Sequence, residues 1–390
     1  MFRSSFTLFI VVFLLLYGLL NFWIGLRGWQ FVGRQIPLLN SKIYWLAFWL
    51  VALSYFAGRF GRDFLPAGVA QSLTLIGSYW LGFMTYFTLT LVVVEIVRLA
   101  GRLAGVLPPG AVPDPRLSLA LGLTVVVAVT GIMAYGWWNA RHPQVVRYNI
   151  NIPKQAGEIK KIRLVAVSDL HLGVVVHNGR LTGLVDTVAG LEPDLLLLPG
   201  DIIDENPGPF VDQDMMATFR RLAPTYGIYA VTGNHEYIGR KSEEIIGLLE
   251  DAGVTVLRDR QVKIAGSFYL VGVDDRSRRH FGAEGGGPGL GELMKEVDKS
   301  LPVIMLDHQP TQLAEARDNG VDLKISGHTH RGQLFPFNLI TGKIYEIDWG
   351  HLQKDSLQVI VSSGFGTWGP PVRVGNRPEI VLVDLTFGSQ

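Results

Sequence analysis

The sequence predicts two unlike parts in one chain: an N-terminal all-α anchor of four transmembrane helices, then an α/β domain. Three observations carry this. Residues 7–26, 43–58, 64–94 and 117–140 hold no Asp, Glu, Lys or Arg. After residue 160, short apolar runs each end on a cluster of Asp, Asn, His or Gly, and helical stretches are interspersed among them. The composition also suits a hybrid, because 48% hydrophobic residues and a mean hydropathy of +0.27 make the whole more apolar than most soluble chains, while the later part carries ordinary mixed charge.

A helix needs about twenty apolar residues to cross a hydrocarbon core about 30 Å thick. Helices are therefore expected at about 7–26, 43–58, 72–94 and 117–140, the second one short, within an anchor spanning 1–140. Aromatic pairs at their ends, Phe22-Trp23, Tyr44-Trp45, Tyr79-Trp80 and Trp137-Trp138, fit an interfacial belt. The first run is too long for a signal-peptide core and three more follow it, which speaks against a cleaved leader. Glu95 is expected at the end of a span, and the absence of charge inside the spans argues against a transport path. Gly77, Ser78, Gly82 and Thr85 read as helix-packing residues.

From residue 161 onward the chemistry sits where apolar runs stop. The runs 164–167, 195–198, 228–231, 303–306 and, less purely, 321–325 read as buried strands. They lead into Asp169-Leu170-His171, Gly200-Asp201, Gly233-Asn234-His235-Glu236, His308 and Gly327-His328-Thr329-His330. Side chains at the carboxyl ends of several strands converge on one crevice. Five of the nine histidines fall in these motifs, and His142, His177, His280 and His351 do not. Any one of the five alone would more often be a hydrogen-bonded core or surface residue. The ordered set of carboxylate, amide and imidazole groups is what suffices for two metal ions. Gly200, Gly233 and Gly327 permit sharp turns and close backbone approach. Helical stretches at 180–190 and 242–253 complete a layered α/β arrangement.

These motifs resemble those of the calcineurin-like metallophosphoesterases, from about Ile162 to the C-terminus. Ser326-Gly327-His328-Thr329-His330-Arg331-Gly332-Gln333 and Gly366-Thr367-Trp368-Gly369-Pro370-Pro371-Val372-Arg373 further resemble a branch of membrane-associated bacterial phosphoesterases, some exported, some cleaving the pyrophosphate of a UDP-linked diacylglucosamine. The resemblance implies a four-layer α/β/β/α sandwich over 161–390. It assigns Asp169, His171, Asp201 and His330 to one ion and Asp201, Asn234, His308 and His328 to the other, with Asp201 bridging. The implied cofactors are two divalent ions, and this mixed donor set suits manganese, iron or zinc. The implied reaction is hydrolysis of a phosphodiester or pyrophosphate bond by a metal-bridging hydroxide, with His235 as general acid and Asp204 orienting it.

Several positions keep two readings. Asp204 is also an ordinary turn residue between Asp201 and Pro207. Glu236 is either an acceptor for a ligand histidine or a solvated acid. Glu205 stands where the protein Ser/Thr phosphatases carry a phosphate-gripping arginine and Tyr237 follows Glu236, so a phosphoprotein phosphatase is not expected. Arg276, Arg278, Arg279 and His280, followed by Gly285-Gly286-Gly287, form a basic loop that either grips a non-reacting phosphate or is a surface insertion. Arg373 and Arg377 are weaker candidates of the same kind.

Residues 141–160, with Arg141, Arg147, Lys154 and Lys160, read as a juxtamembrane linker able to attract anionic headgroups. A net charge of +1 argues against a nucleic-acid partner. The expected partners are the bilayer and a phosphorylated lipid or lipid-linked substrate. A soluble nucleotide-like diester and a non-catalytic membrane sensor are the alternatives. The basic flanks of the spans are tied between the two faces, and the exported members of the branch favour an extracytoplasmic domain on a multi-pass protein of the cell membrane.

Overall fold

The computed structural model describes residues 2–106, 114–281 and 287–388, with backbone only for 2–7, 9 and 10. Two compact units divide the chain, Met1–Trp137 with Gly369–Val372, and Trp138–Trp368 with Arg373–Gln390.

The first unit is built on α1 (Phe2–Phe31), α2 (Ser41–Phe60), α3 (Ala67–Leu103) and α4 (Pro115–Asn139). All four are long and apolar enough to cross a membrane. Large apolar side chains such as Leu15, Leu19, Leu50, Val93, Ile96 and Val127 point outward, the arrangement suited to a lipid solvent. Gly77 serves packing: a Cβ there would overlap the Tyr55 backbone, so glycine lets α3 and α2 touch. Two expectations are corrected. Helix α3 does not stop near residue 94 but runs to Leu103, and Glu95 lies within it, 2.9 Å from Arg27 and 3.3 Å from Arg98. Tyr79-Trp80 likewise lies inside α3 and not at its end, and Trp80 Nε1 donates to the buried Asn21 at 2.8 Å.

The second unit begins earlier than the sequence suggests. Residues 144–152 do not form a linker but pair as strand β1 (Gln144–Ile152). In chain order follow β2 (Lys161–Ala166), α5 (Asn178–Gly190), β3 (Leu195–Pro199), α6 (Gly208–Asp212), α7 (Met215–Phe219), β4 (Ile228–Val231), α8 (Asn234–Ile238), α9 (Ser242–Asp251) and β5 (Val254–Val256). Then come β6 (Arg260–Ile264), β7 (Phe268–Gly272), α10 (Arg278–Phe281), α11 (Leu290–Leu293), β8 (Val303–Leu306), α12 (Leu313–Asp318), β9 (Leu323–Ser326), α13 (Asn338–Ile344), β10 (Gly350–Lys354), β11 (Leu357–Val361) and β12 (Glu379–Phe387).

They form two six-stranded mixed sheets, ordered β1-β12-β2-β3-β4-β5 and β10-β11-β9-β8-β7-β6. The runs are apolar throughout because the inner strands are covered on both faces. In β2 and β3, Leu164, Ala166, Leu195 and Leu197 face the other sheet and meet Leu270, Ile304, Leu306, Leu323 and Ile325. Val165, Leu196 and Leu198 face outward onto Leu181, Val185, Phe219 and Leu249 of the helices. Val303 and Met305 lie against Leu293 and Leu313 on the other outer face. The result is the expected α/β/β/α layering. Strands β2, β3 and β4 are mutually parallel, as are β8 and β9, so the loops at their carboxyl ends carry the motifs.

Candidate metal centre

The loop after β2 is zipped to the loop after β3 before any side chain is considered. Asp169, His171 and Leu172 donate backbone N–H groups to Gly200, Asp201 and Ile202 at 3.1, 3.0 and 2.9 Å. This extends the ladder beyond the strands and sets Asp169, His171 and Asp201 side by side. All three, with His328 and His330, take positive φ between 48° and 72°. Non-glycine residues in that region are strained, and such strain clusters at functional sites. At Gly327 a Cβ would overlap the Asp169 carboxylate, so glycine is what lets the loop after β9 reach the same point. The His328 N–H then donates to Asp169 Oδ1 at 3.0 Å.

Three groups of donors result, two of them made of the expected metal ligands. Asp169, His171 and His330 form one, Asp201, His308 and His328 the other, each with its ligand atoms within 4.8 Å of one another. Asp201 Oδ2 lies 3.2 Å from His308 Nε2 and 3.8 Å from His171 Nε2, so one carboxylate stands between the groups. Asn234 Oδ1 adds to the second group at 2.9 Å from His328 Nδ1 and 3.2 Å from His308 Nε2.

The chemistry of this set fits cations. His308 Nδ1 is 2.8 Å from the Pro199 carbonyl, which can only accept, so Nδ1 carries the proton. Its Nε2 therefore turns a lone pair, when neutral, toward Asp201, Asn234 and His328, all of them electron-pair donors. Burial opposes a charge on His308, but the Asp201 carboxylate outweighs it and raises its pKa well above the ordinary histidine value. His330 faces His171 ring to ring, Nε2 to Nε2 at 3.0 Å. Burial and the charges of His171 and Arg373 hold its pKa well below the usual value, which favours the neutral imidazole that a metal would need.

His235 belongs to neither of these two groups but forms the third with His171 and Asp204, its ring 4.5 Å from that of His171. Its backbone N–H donates to Asp201 Oδ1 at 2.8 Å, and its Nδ1 is 2.8 Å from Asp204 Oδ1. Asp204 can only accept when ionised, so Nδ1 carries a proton and Nε2 is the nitrogen that Asp204 leaves unengaged. Burial opposes a charge on His235, but Asp201 and Asp204 together raise its pKa above the ordinary value. Asp204 thus lies against two site histidines, 2.8 Å from His235 Nδ1 and 3.9 Å from His171 Nδ1, and is more than a turn former.

Neither reading of Glu236 describes what it does. It is fully buried and binds no histidine; its carboxylate accepts backbone N–H groups of Gly233, Ile202, Asp201 and Ile203 at 2.7, 2.8, 3.1 and 3.1 Å. It fixes the Asp201 loop to the start of α8. Arg373 is also corrected: its side chain is fully buried and donates to the carbonyls of Gly364 and Gly366 and to Asn376, so it braces the wall behind His330 and grips no phosphate. Arg377 reaches the His142 carbonyl.

The basic loop is not drawn into the donor set. Arg278 pairs with Asp259 at 2.7 Å and Asp274 at 2.9 Å, and Arg276 bonds Thr311 and Gln312. Arg279 and His280 are exposed. Gly285 and Gly286 lie outside the described residues. Sequence reasoning missed Trp368 as a site neighbour: its indole lies 5.9 Å from the His235 ring, edge to face, and Gln333 clasps its backbone through both amide atoms at 3.0 and 2.9 Å. Both residues were visible in the branch motifs without a role attached.

Residues 162–332 match the calcineurin-like phosphoesterase family. An uncharacterized metallophosphoesterase of Aquifex aeolicus is 34% identical over 255 residues, covering 65% of this chain and 95% of that one. The transmembrane protein with metallophosphoesterase domain of Danio rerio is 30% identical over 276 residues, 68% of this chain and 62% of its own length. An uncharacterized metallophosphoesterase of Helicobacter pylori is 34% identical over 232 residues, 58% and 60% respectively. The chain spans about three fifths of the length of these last two relatives. With the strand-end motifs, the two-sheet fold and a 34%-identical relative covered over 95% of its length, the chain belongs to the calcineurin-like metallophosphoesterases.

Proposed function

We propose that the protein is a membrane-anchored, dinuclear-metal phosphohydrolase that cleaves a phosphodiester or pyrophosphate bond in a lipid or lipid-linked substrate, on the extracytoplasmic side as in the exported members of the branch it resembles. The observation that carries the reading is the convergence of seven buried or half-buried donors, Asp169, His171, Asp201, Asn234, His308, His328 and His330, with His235 beside them, grouped with His171 and Asp204. Asp169, His171 and His330 would hold one ion, Asn234, His308 and His328 the other, and Asp201 both. Two divalent ions at such a site supply Lewis acidity toward phosphoryl oxygens and lower the proton affinity of water.

The chain's own residues do the rest. Pro199 fixes the His308 tautomer, and Glu236 holds the Asp201 loop in its left-handed turn. The His235 backbone N–H binds one oxygen of Asp201, which leaves the other turned toward the ligand imidazoles. His235, oriented at Nδ1 by Asp204, presents Nε2 to the leaving oxygen and gives it a proton; such general acids contribute about 10²–10⁴-fold. The four apolar helices support a lipid-linked substrate, since they keep the domain where such substrates are.

The test is hydrolysis of an aryl phosphodiester, a phospholipid panel and UDP-linked lipids by purified full-length protein, with manganese, with chelator, and as Asp201→Asn. Metal-dependent turnover that the variant loses, with preference for lipid over aryl diester, is the expected result. Two bound metals with no turnover of any substrate would favour a phosphate-sensing role. Preference for soluble nucleotide diesters would remove the lipid.

A further inference from the structure

From β1 to residue 388, eight large apolar side chains are exposed among the described residues, and six of them belong to one patch: Phe335, Phe337, Leu339, Ile340, Ile344 and Trp368, each 40–66% exposed. The two segments that carry them are joined, because Gln333 clasps Trp368 and the Phe335 N–H donates to the Val374 carbonyl at 2.8 Å. Helix α13 within the patch buries none of its side chains. Elsewhere among the described residues of this unit only Trp138, Val145 and Val211 are exposed large apolar groups, so an accumulation on one rim is a surface with a use. Trp368 brings that rim to the edge of the donor cluster, 5.9 Å from His235.

The same chain supplies the surface that such a rim fits. Four of its helices are long and apolar enough to cross a membrane, and the last of them ends at Asn139, with β1 starting at Gln144. Five residue steps span at most about 17 Å. The domain cannot leave the vicinity of a bilayer. Exposed Lys343 on α13 adds a cation of the kind that meets anionic headgroups, Trp settles at the headgroup level, and Phe and Leu are the residues that interfacial segments bury at the acyl boundary. We infer that the rim Phe335–Ile344 with Trp368 inserts into the interfacial layer of the bilayer and sets the metal centre at headgroup depth, so that the scissile phosphoester is taken from a lipid in place. The inference rests for its purpose on the lipid-linked substrate proposed above, but insertion itself is measured separately.

The chain has no cysteine, so a single introduced one carries a unique label. Full-length protein with Leu339→Cys or Ile344→Cys, labelled with an environment-sensitive fluorophore, would be placed in nanodiscs of phosphatidylcholine and phosphatidylglycerol with or without brominated acyl chains. Glu250→Cys on the exposed side of α9 is the aqueous control and Leu50→Cys on α2 the lipid control. Expected are blue-shifted emission and bromine quenching at least threefold stronger at 339 and 344 than at 250. Labels at 339 and 344 as unquenched and water-accessible as at 250 overturn the inference. So does shielding without quenching, which would mean that a second copy covers the rim. Quenching in a protein that hydrolyses no lipid would leave the insertion standing and remove the lipid substrate instead.

Discussion

The donor cluster and the basic loop around Arg278 are both polar groups gathered at strand ends of one domain, and both stand out in the sequence. In the loop, charge is cancelled locally: Arg278 meets two carboxylates, and Asp274 also receives Thr232, Tyr237 and Arg258. In the cluster the polar atoms are turned on one another: ring nitrogens of His308 and His328, the Asn234 Oδ1 and the Asp201 carboxylate lie within 2.9–3.2 Å of their neighbours, a donor set that a cation can share. The difference teaches that residue type marks a polar site, whereas the partners decide whether its charge is already used. Structural ion pairs are spent; a donor set that faces itself is waiting for something.

The strongest way to break this contrast is Asp201→Asn. It removes the one carboxylate that stands between both groups, and we expect a loss of about three orders of magnitude in turnover, roughly 4 kcal/mol, from lost Lewis-acid stabilisation. Metal analysis should show fewer than two ions per chain. Full activity with two ions would mean that Asp201 does not bridge. His235→Ala should follow, with kcat down about 10²–10⁴-fold and both ions retained. The deficit should shrink for aryl leaving groups that need no proton. An equal loss on all substrates would assign His235 to positioning.

Glu236→Ala tests the scaffold of the cluster in place of its ligands. Four backbone N–H groups in a buried loop would lose their acceptor, and unsatisfied buried donors cost about 1–3 kcal/mol each, partly relieved by water. A net destabilisation of about 3–5 kcal/mol should lower the melting temperature by roughly 10 °C and weaken metal binding. Melting unchanged within a degree or two would show that the loop holds itself.

How far the sequence carried the site follows from the same physics. The runs at 228–231 and 303–306 end where β4 and β8 end, because strands buried on both faces are written in uninterrupted apolar residues. Strand β1 escaped, since its side chains alternate between exposed and half-buried at the border of the sheet and its Arg147 and Asn149 look like linker. Helix α3 outran its apolar stretch because hydropathy counts the length that crosses lipid, while Glu95, Arg98 and Arg102 are compatible with a helix that simply continues. Glu236 was illegible for a different reason: three of its four N–H partners lie more than thirty residues upstream, in a loop whose conformation no local rule supplies. Arg373 shows the converse, a guanidinium that reads as a phosphate grip and is instead consumed by carbonyls.

The smallest expected effects are in the basic loop, and they decide whether the comparison holds. Arg278→Ala breaks two ion pairs but leaves Asp274 with Thr232, Tyr237 and Arg258, so a cost of about 1–2 kcal/mol in stability is expected, with kcat and metal content unchanged. Arg279→Ala touches an exposed side chain and should change stability by less than about 0.5 kcal/mol. Steady-state kinetics on the preferred substrate is the discriminating measurement for Arg279. If its charge met a non-reacting phosphate, the loss of a charge-assisted bond worth about 1.5–3 kcal/mol would raise KM by roughly ten- to a hundredfold with little change in kcat. An unaltered KM confines recognition to the donor cluster and its Trp368 edge, whereas a raised one would make this loop a second binding element and end the contrast between spent and waiting charge.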